Sequence, residues 1–193
     1  MNELPKKQPI LQTNRLVLSS ICEEDAKDLS TIANDRDLLR YMSDSFPNTY
    51  RYEDALEFIK KAKKSYQSGK SIEYAIRLKN SHEVIGVIGL SLNYKNDHIT
   101  FGYWLGKKWW KKGYMSEALS EIVRFCFEEL KVHRVASHHF HPNIASGKVM
   151  QKAGLKYEGR RKEHYKKGDE FFDIIDYGLI RSEWDVLETN TVA

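Results

Sequence analysis

The stretch from residue 98 to residue 140 constrains the fold most. HITFGYWLG (98–106) reads as a strand and HRVASHHF (133–140) as another. Between them, SEALSEIVRFCFEEL (116–130) has Ala118, Leu119, Ile122, Cys126 and Leu130 at helical spacing. A helix of that length is a crossover, so the two strands lie parallel and adjacent in one sheet.

The rest of the chain builds around this unit. RLVLSSI (15–21) is a strand, and ICEEDAKDLSTIAND begins a helix whose Glu23, Glu24 and Asp25 suit the positive end of its dipole. EDALEFIKKAKKSYQ (53–67) is a second helix with Leu56, Ile59 and Ala62 on one stripe, ended by Gly69. IEYAIRLK (72–79) and HEVIGVIGLSLNY (82–94) are strands, and Gly86 and Gly89 permit a bulge or a close backbone approach. NIASGKVMQKAGL (143–155) is a helix closed by Gly154, and strands near 156–166 and 171–181 flank the turn Lys167-Gly168-Asp169. The expected architecture is α/β (α+β): a mixed sheet of about seven strands and about four helices.

One domain of 193 residues is expected, with a core over about 13–185 and frayed tails at 1–12 and 186–193. With 41% apolar and 30% charged residues, the composition excludes a disordered chain. Two cysteines, Cys22 and Cys126, give no disulfide framework and suit a reducing compartment. No apolar signal core and no membrane-length apolar run is present, so the expectation is a cytoplasmic protein with no membrane partner.

KKWWKKGYMSEAL (107–119) places charge and a glycine at a helix start. Ser116 reads as the N-cap, with Gly113 just ahead of it. Unpaired N–H groups and the positive dipole end suit a phosphate or pyrophosphate, and Lys107, Lys108, Lys111 and Lys112 add charge. A merely solvated turn is the alternative. The Walker pattern is absent: ahead of SGKS (68–71) the required glycine is Lys64, and ahead of SGKV (146–149) it is Pro142. GxGxxG is absent too. His133, His138, His139 and His141 invite a zinc reading. His138 faces away from His139 and His141 on a strand, however, and no cysteine or carboxylate pair completes a set, so no metal is expected.

These segments, in this order, resemble the GNAT superfamily of acetyl-coenzyme A-dependent N-acetyltransferases, and more narrowly its RimJ and RimL ribosomal-protein branch. TNRLVLSSICEEDAKDL is similar to the branch's opening, FGYWLGKKWWKKGYMSEAL to its strand and pyrophosphate loop, HPNIASGKVMQKAGLKYEG to its Asn-x-x-Ser helix, and DIIDYGLIRSEW to its last strand. The chain departs at Lys111, which replaces a loop glycine, at Met115, which replaces a small residue, and at Thr100, where many members carry a glutamate that acts through water as general base.

The resemblance implies that the parallel pair splays and that acetyl-CoA, a co-substrate, lies in the gap. The groups implied for it are the strand end at Trp104 and Leu105, the charge of Lys107, the loop Lys112, Gly113, Tyr114, Met115 and Ser116, and Asn143 and Ser146 of the next helix. The Leu105 N–H serves as oxyanion donor. Ser146 protonates the leaving thiolate, against the plainer reading in which Asn143 is only an N-cap and Ser146 bonds only backbone. Glu163 is the base candidate that family position implies; His139, at the end of a central strand and able to titrate near neutrality, is another, and a packed strand histidine is its plainer reading. Tyr103 and Trp104 either line the cleft or fill the core.

Neutralising an α-amine of pKa about 8 at pH 7 costs about 1.4 kcal/mol, and a lysine of pKa about 10.4 costs about 4.6 kcal/mol. Thr100 therefore fits an α-amine better. The acceptor expected is a protein or peptide N-terminus. A small amine such as an antibiotic or polyamine, or a coenzyme A-binding module without turnover, stays open. A nucleic-acid role for KKWWKK and RRKEHYKKG (160–168) ranks last. The expected assembly is a monomer or homodimer.

Overall fold

The computed structural model describes residues 1–44 and 46–191. Eight strands form one sheet: β1 (Leu11–Gln12), β2 (Leu16–Ser20), β3 (Ser71–Leu78), β4 (Val84–Asn93), β5 (His98–Leu105), β6 (Arg134–Phe140), β7 (Lys156–Lys167) and β8 (Glu170–Ile180). Their order is β1-β2-β3-β4-β5-β6-β8-β7. All neighbours are antiparallel except β5 and β6, the pair that the crossover requires. The helices are α1 (Ala26–Ile32), α2 (Arg36–Leu39), α3 (Tyr52–Gln67), α4 (Tyr114–Glu128), α5 (Ile144–Lys152) and α6 (Arg181–Thr191).

The counts exceed the expected seven strands and four helices for simple reasons. β1 has two residues and α2 has four, both too short for a period to show. The first expected helix is a 3-10 turn at Glu23–Asp25, then α1, then a break at Asp35, whose carboxylate caps α2. α6 runs on to Thr191, into the segment 186–193 expected to fray; residues 192 and 193 of that segment lie outside the described residues. At the other end, the chain before β2 makes defined contacts: the Met1 ammonium pairs with Asp97 at 2.6 Å and Asn2 N donates to the Leu130 carbonyl.

Alternation along each strand divides the sheet into two faces. Ile72, Tyr74, Ile88, Leu90, Phe101 and Leu105 pack with Met115, Leu119 and Ile122 of α4. Ala75, Val87 and Trp104 pack on the opposite face with Leu29 of α1 and Ala55 and Ile59 of α3. Any ligand held between β5 and β6 therefore meets α4 and α5 on one side and the α1/α3 layer on the other. Among the described residues, no helix is long and apolar enough to cross a membrane.

Candidate active site

The parallel ladder is short. β5 and β6 pair at His98–Arg134, Ile99–Val135 and Thr100–Ala136, and there the ladder stops. One step further, the Ser137 hydroxyl donates to the Phe101 carbonyl at 2.6 Å, so a side chain replaces the ladder where the strands part. From Gly102 to Leu105, β5 pairs with β4 alone. This is the expected splay.

At the far end of the gap stands the loop into α4. Its N-cap is Gly113, in the left-handed region at φ 80°, and the helix begins at Tyr114. Ser116, expected as the cap, lies within the first turn: the sharp reversal needs positive φ, which glycine supplies more readily than serine. The first helical hydrogen bond runs from Glu117 N to the Gly113 carbonyl. The N–H groups of Tyr114, Met115 and Ser116 thus have no acceptor within the helix. Lys111 also takes positive φ, at 60°, a conformation that costs a non-glycine residue about 1 kcal/mol. Its side chain, like that of Lys112, is exposed, whereas Met115 is buried in the core against α4's neighbours.

The lysines divide. The Lys107 ammonium lies 2.5 Å from Asp37 and 3.9 Å from Asp35, and the first contact raises its pKa. Lys108 pairs with Glu83 at 3.3 Å and lies over the Trp109 ring. Lys107, expected to add charge at the loop, is thus paired with the carboxylates of α2 and its cap. Lys111 and Lys112 have no ion-pair partner among the described residues.

A residue that sequence reasoning passed over fixes this loop. Arg15 donates to the Lys112 carbonyl at 3.0 Å and to the Glu117 carboxylate at 2.6 Å, with its guanidinium 4.5 Å from the Tyr114 ring centre. Glu117 also accepts from Thr13 Oγ1 at 2.6 Å and Arg15 N at 2.9 Å. Burial raises its pKa, but those hydrogen bonds outweigh it and hold the group below the ordinary carboxylate value.

Across the gap, Asn143 caps α5 through Oδ1, which accepts from Ser146 N at 3.3 Å. The plainer reading of Asn143 is present in full. Ser146 does more: its Oγ lies 2.9 Å from Tyr103 Oη, which also donates to the Ser146 carbonyl at 3.0 Å. Burial raises the Tyr103 pKa, so the phenol remains a proton donor near neutrality. Tyr103 therefore spans from β5 to α5 on the α4 face.

The remaining expected groups stand apart. His139 is buried and stacked on Tyr177, with Nδ1 donating to the Phe140 carbonyl at 2.8 Å. A Cβ at Gly147 would meet its Nε2 at 2.7 Å, so this ring packs under α5. Burial lowers its pKa. Glu163 lies exposed at φ 46° in a bulge of β7, its N–H donating to Asp173. No hydrogen bond of Glu163 reaches Ser146, Tyr103 or His139. The Trp104 side chain turns to the α1/α3 face, and the Leu105 carbonyl accepts from Trp110 Nε1 at 2.5 Å. Among the described residues, no three His, Cys, Asp or Glu side chains converge as a metal site would require.

On the α1/α3 face a cavity of about 410 Å³ opens beside Gly102 and Trp104. Phe46 stacks on Tyr50 at 4.7 Å between ring centres and meets Trp104 edge-on. The β7–β8 turn reaches over to this side. Lys167 donates to the carbonyls of Leu39, Arg40 and Met42, and Tyr165 Oη accepts from Asp44 N.

Residues 15–156 match the family described as Acetyltransferase (GNAT) domain. The chain belongs to the GNAT acetyltransferase family. YoaA of Bacillus subtilis, described as an uncharacterised N-acetyltransferase, is 28% identical over 90% of this chain and 97% of its own. A ribosomal-protein alanine N-acetyltransferase of Escherichia coli is 24% identical over 90% of this chain and 92% of its own. The structure of Mycobacterium smegmatis RimJ in complex with CoA-disulfide superposes with a TM-score of 0.80 at 17% identity, covering 91% of this chain and 87% of that one. The chain is thus an N-acetyltransferase with the GNAT fold.

Proposed function

We propose that this GNAT protein transfers the acetyl group of acetyl-CoA directly to a primary amine, and that the acceptor is the N-terminal α-amine of a protein. The observation that carries the reading is the gap between β5 and β6, open beyond Thr100–Ala136, with the cradle of Tyr114, Met115 and Ser116 at its end. Those N–H groups suit a diphosphate, and exposed Lys111 and Lys112 add positive charge. Arg15 holds the cradle from behind through Lys112 and Glu117.

Acetyl-CoA supplies a thioester carbonyl, and the chain's part is to place the amine and manage charge. A donor near the thioester sulfur is needed as the C–S bond breaks. Ser146 is that donor, and Tyr103, 2.9 Å away, restores its proton. A main-chain N–H near Leu105 faces the carbonyl oxygen as charge grows there. The acceptor comes from the opposite face, through the cavity beside Trp104. The N-terminal reading draws support from the E. coli relative, whose name specifies an alanine of a ribosomal protein. The lower cost of neutralising an α-amine also favours it.

A free small amine is the second reading. The cavity volume favours it, since about 410 Å³ lies within the range of roughly 300–1,000 Å³ typical of small-ligand pockets. A thiol-release assay with acetyl-CoA separates the two: peptides with a free N-terminus should drive release, and N-formylated peptides should not. Release driven only by polyamines or aminoglycosides would overturn the N-terminal reading.

A further inference from the structure

Glu73 stands on β3 facing the acceptor-side cavity, and its surroundings are unusual for a carboxylate. It is opposite Gly89 of β4, which is opposite Gly102 of β5. Both glycines present the α1/α3 face, so no side chain lies between Glu73 and the gap beside β5. A Cβ at Gly89 would lie 3.7 Å from Glu73 Cγ and 3.8 Å from Oε1, so the side chain lies over the bare backbone of β4. A Cβ at Gly102 would meet nothing within 4 Å, so the space over β5 is free.

Among the described residues the carboxylate has no ion-pair partner, and Ser71 Oγ, at 2.9 and 3.0 Å from its two oxygens, is its only hydrogen-bond partner. The titratable groups facing it are Asp54, Glu57 and Lys61 of α3. The Lys61 ammonium is held by Glu57 at 2.6 Å, and Asp54 accepts from Arg51 N. Gly89 and Gly102, from the strands beside it, contribute no charge. Phe46, Tyr50, Phe58 and Trp104 complete the wall. A half-buried acid beside an aromatic wall is complementary to a primary ammonium with an apolar neighbour.

We infer that Glu73 receives the acceptor's α-ammonium and removes its proton, while the apolar side chain of the N-terminal residue rests against Phe46, Tyr50 and Trp104. This rests on the acetyl-transfer reading above and supplies the base that Thr100 does not. The ammonium gives one proton to the Glu73 carboxylate. The freed lone pair forms the C–N bond to the acetyl carbon as the C–S bond breaks. The nitrogen's surplus proton ends on the thiolate by way of Ser146, and the Glu73 proton returns to solvent. Burial raises the pKa of Glu73, which brings it nearer to a base's working range.

The test uses the full chain, acetyl-CoA and a hexapeptide with a free N-terminal alanine, comparing wild type with E73Q, G102V and H138Q. His138 is the rival base: it lines a second cavity with Thr100, and Asp176, Arg161, His164 and His139 surround it. E73Q should lose about 100-fold in kcat/KM at pH 6.5. Its kcat/KM should then climb about tenfold per pH unit toward the amine pKa, because only the neutral amine reacts, while the wild type stays nearly flat. G102V should weaken peptide binding to the CoA-bound protein in calorimetry, with coenzyme A affinity unchanged in both variants. Turnover of E73Q equal to wild type, or the same pH change in H138Q instead, would overturn the assignment and leave acetyl transfer standing. A wild type that neither binds nor acetylates any free amine would sink the acetyl-transfer reading itself, and the assignment with it.

Discussion

Tyr103 Oη lies 2.9 Å from Ser146 Oγ and 3.0 Å from the Ser146 carbonyl, so one phenol ties the end of β5 to the first turn of α5. Ser146→Ala should lower kcat by about 100-fold, the ordinary yield of a positioned proton donor, and leave coenzyme A affinity nearly unchanged. Tyr103→Phe should have a smaller effect in the same direction. Steady-state thiol release, paired with calorimetry, checks both, and an unchanged kcat in Ser146→Ala would remove the donor role.

Arg15 and Glu117 brace the loop before α4 from the sheet side. Glu117→Gln keeps the shape and removes the charge. Hydrogen bonds to charged groups contribute about 1.5–3 kcal/mol, and partial exposure of Arg15 places this pair at the low end. Coenzyme A affinity should fall about tenfold, with the acceptor KM unmoved. Equal losses for both ligands would mean a general loss of folding instead.

The expected sequence features were of two kinds. The crossover, the glycine before α4 and the Asn-x-x-Ser start of α5 were legible because each is written within a dozen residues. The row Glu73–Gly89–Gly102 was not, because it exists only after three strands pair in register. Arg15 reads as an ordinary strand start until β2 brings it beside Lys112, 97 residues away. For Lys107 the charge is plain in the sequence, but its partners Asp35 and Asp37, on α2 and its cap, show only in the fold. Tyr103 was left between cleft and core; its ring packs against the core while its hydroxyl meets Ser146, a contact no local pattern announces.

A buried ion pair ties β3 to the turn before α1. Arg77 donates through both terminal nitrogens to Asp25, each at 2.7 Å, and Asp25 is 4% exposed. Arg77→Met leaves that carboxylate without its cation and should destabilise the protein by about 3 kcal/mol. Urea unfolding reads this as a lower midpoint at constant slope.

His139 couples stability to pH. Burial lowers its pKa in the folded state below the ordinary 6.5, so below that value the unfolded chain binds more protons. Stability from this group is full above pH 6.5 and falls as the pH drops from there toward the folded-state pKa. His139→Gln should flatten that part of the curve relative to wild type in thermal melts between pH 7 and pH 5. Identical slopes in the two proteins would contradict the buried, neutral ring.

The account stands or falls on the N–H groups at the start of α4. In an amide-resolved NMR titration with coenzyme A, the signals of Lys112, Gly113, Tyr114, Met115 and Ser116 should move the most and saturate at one equivalent. The result that would contradict it is saturable binding that leaves those five amides in place, or no binding at all.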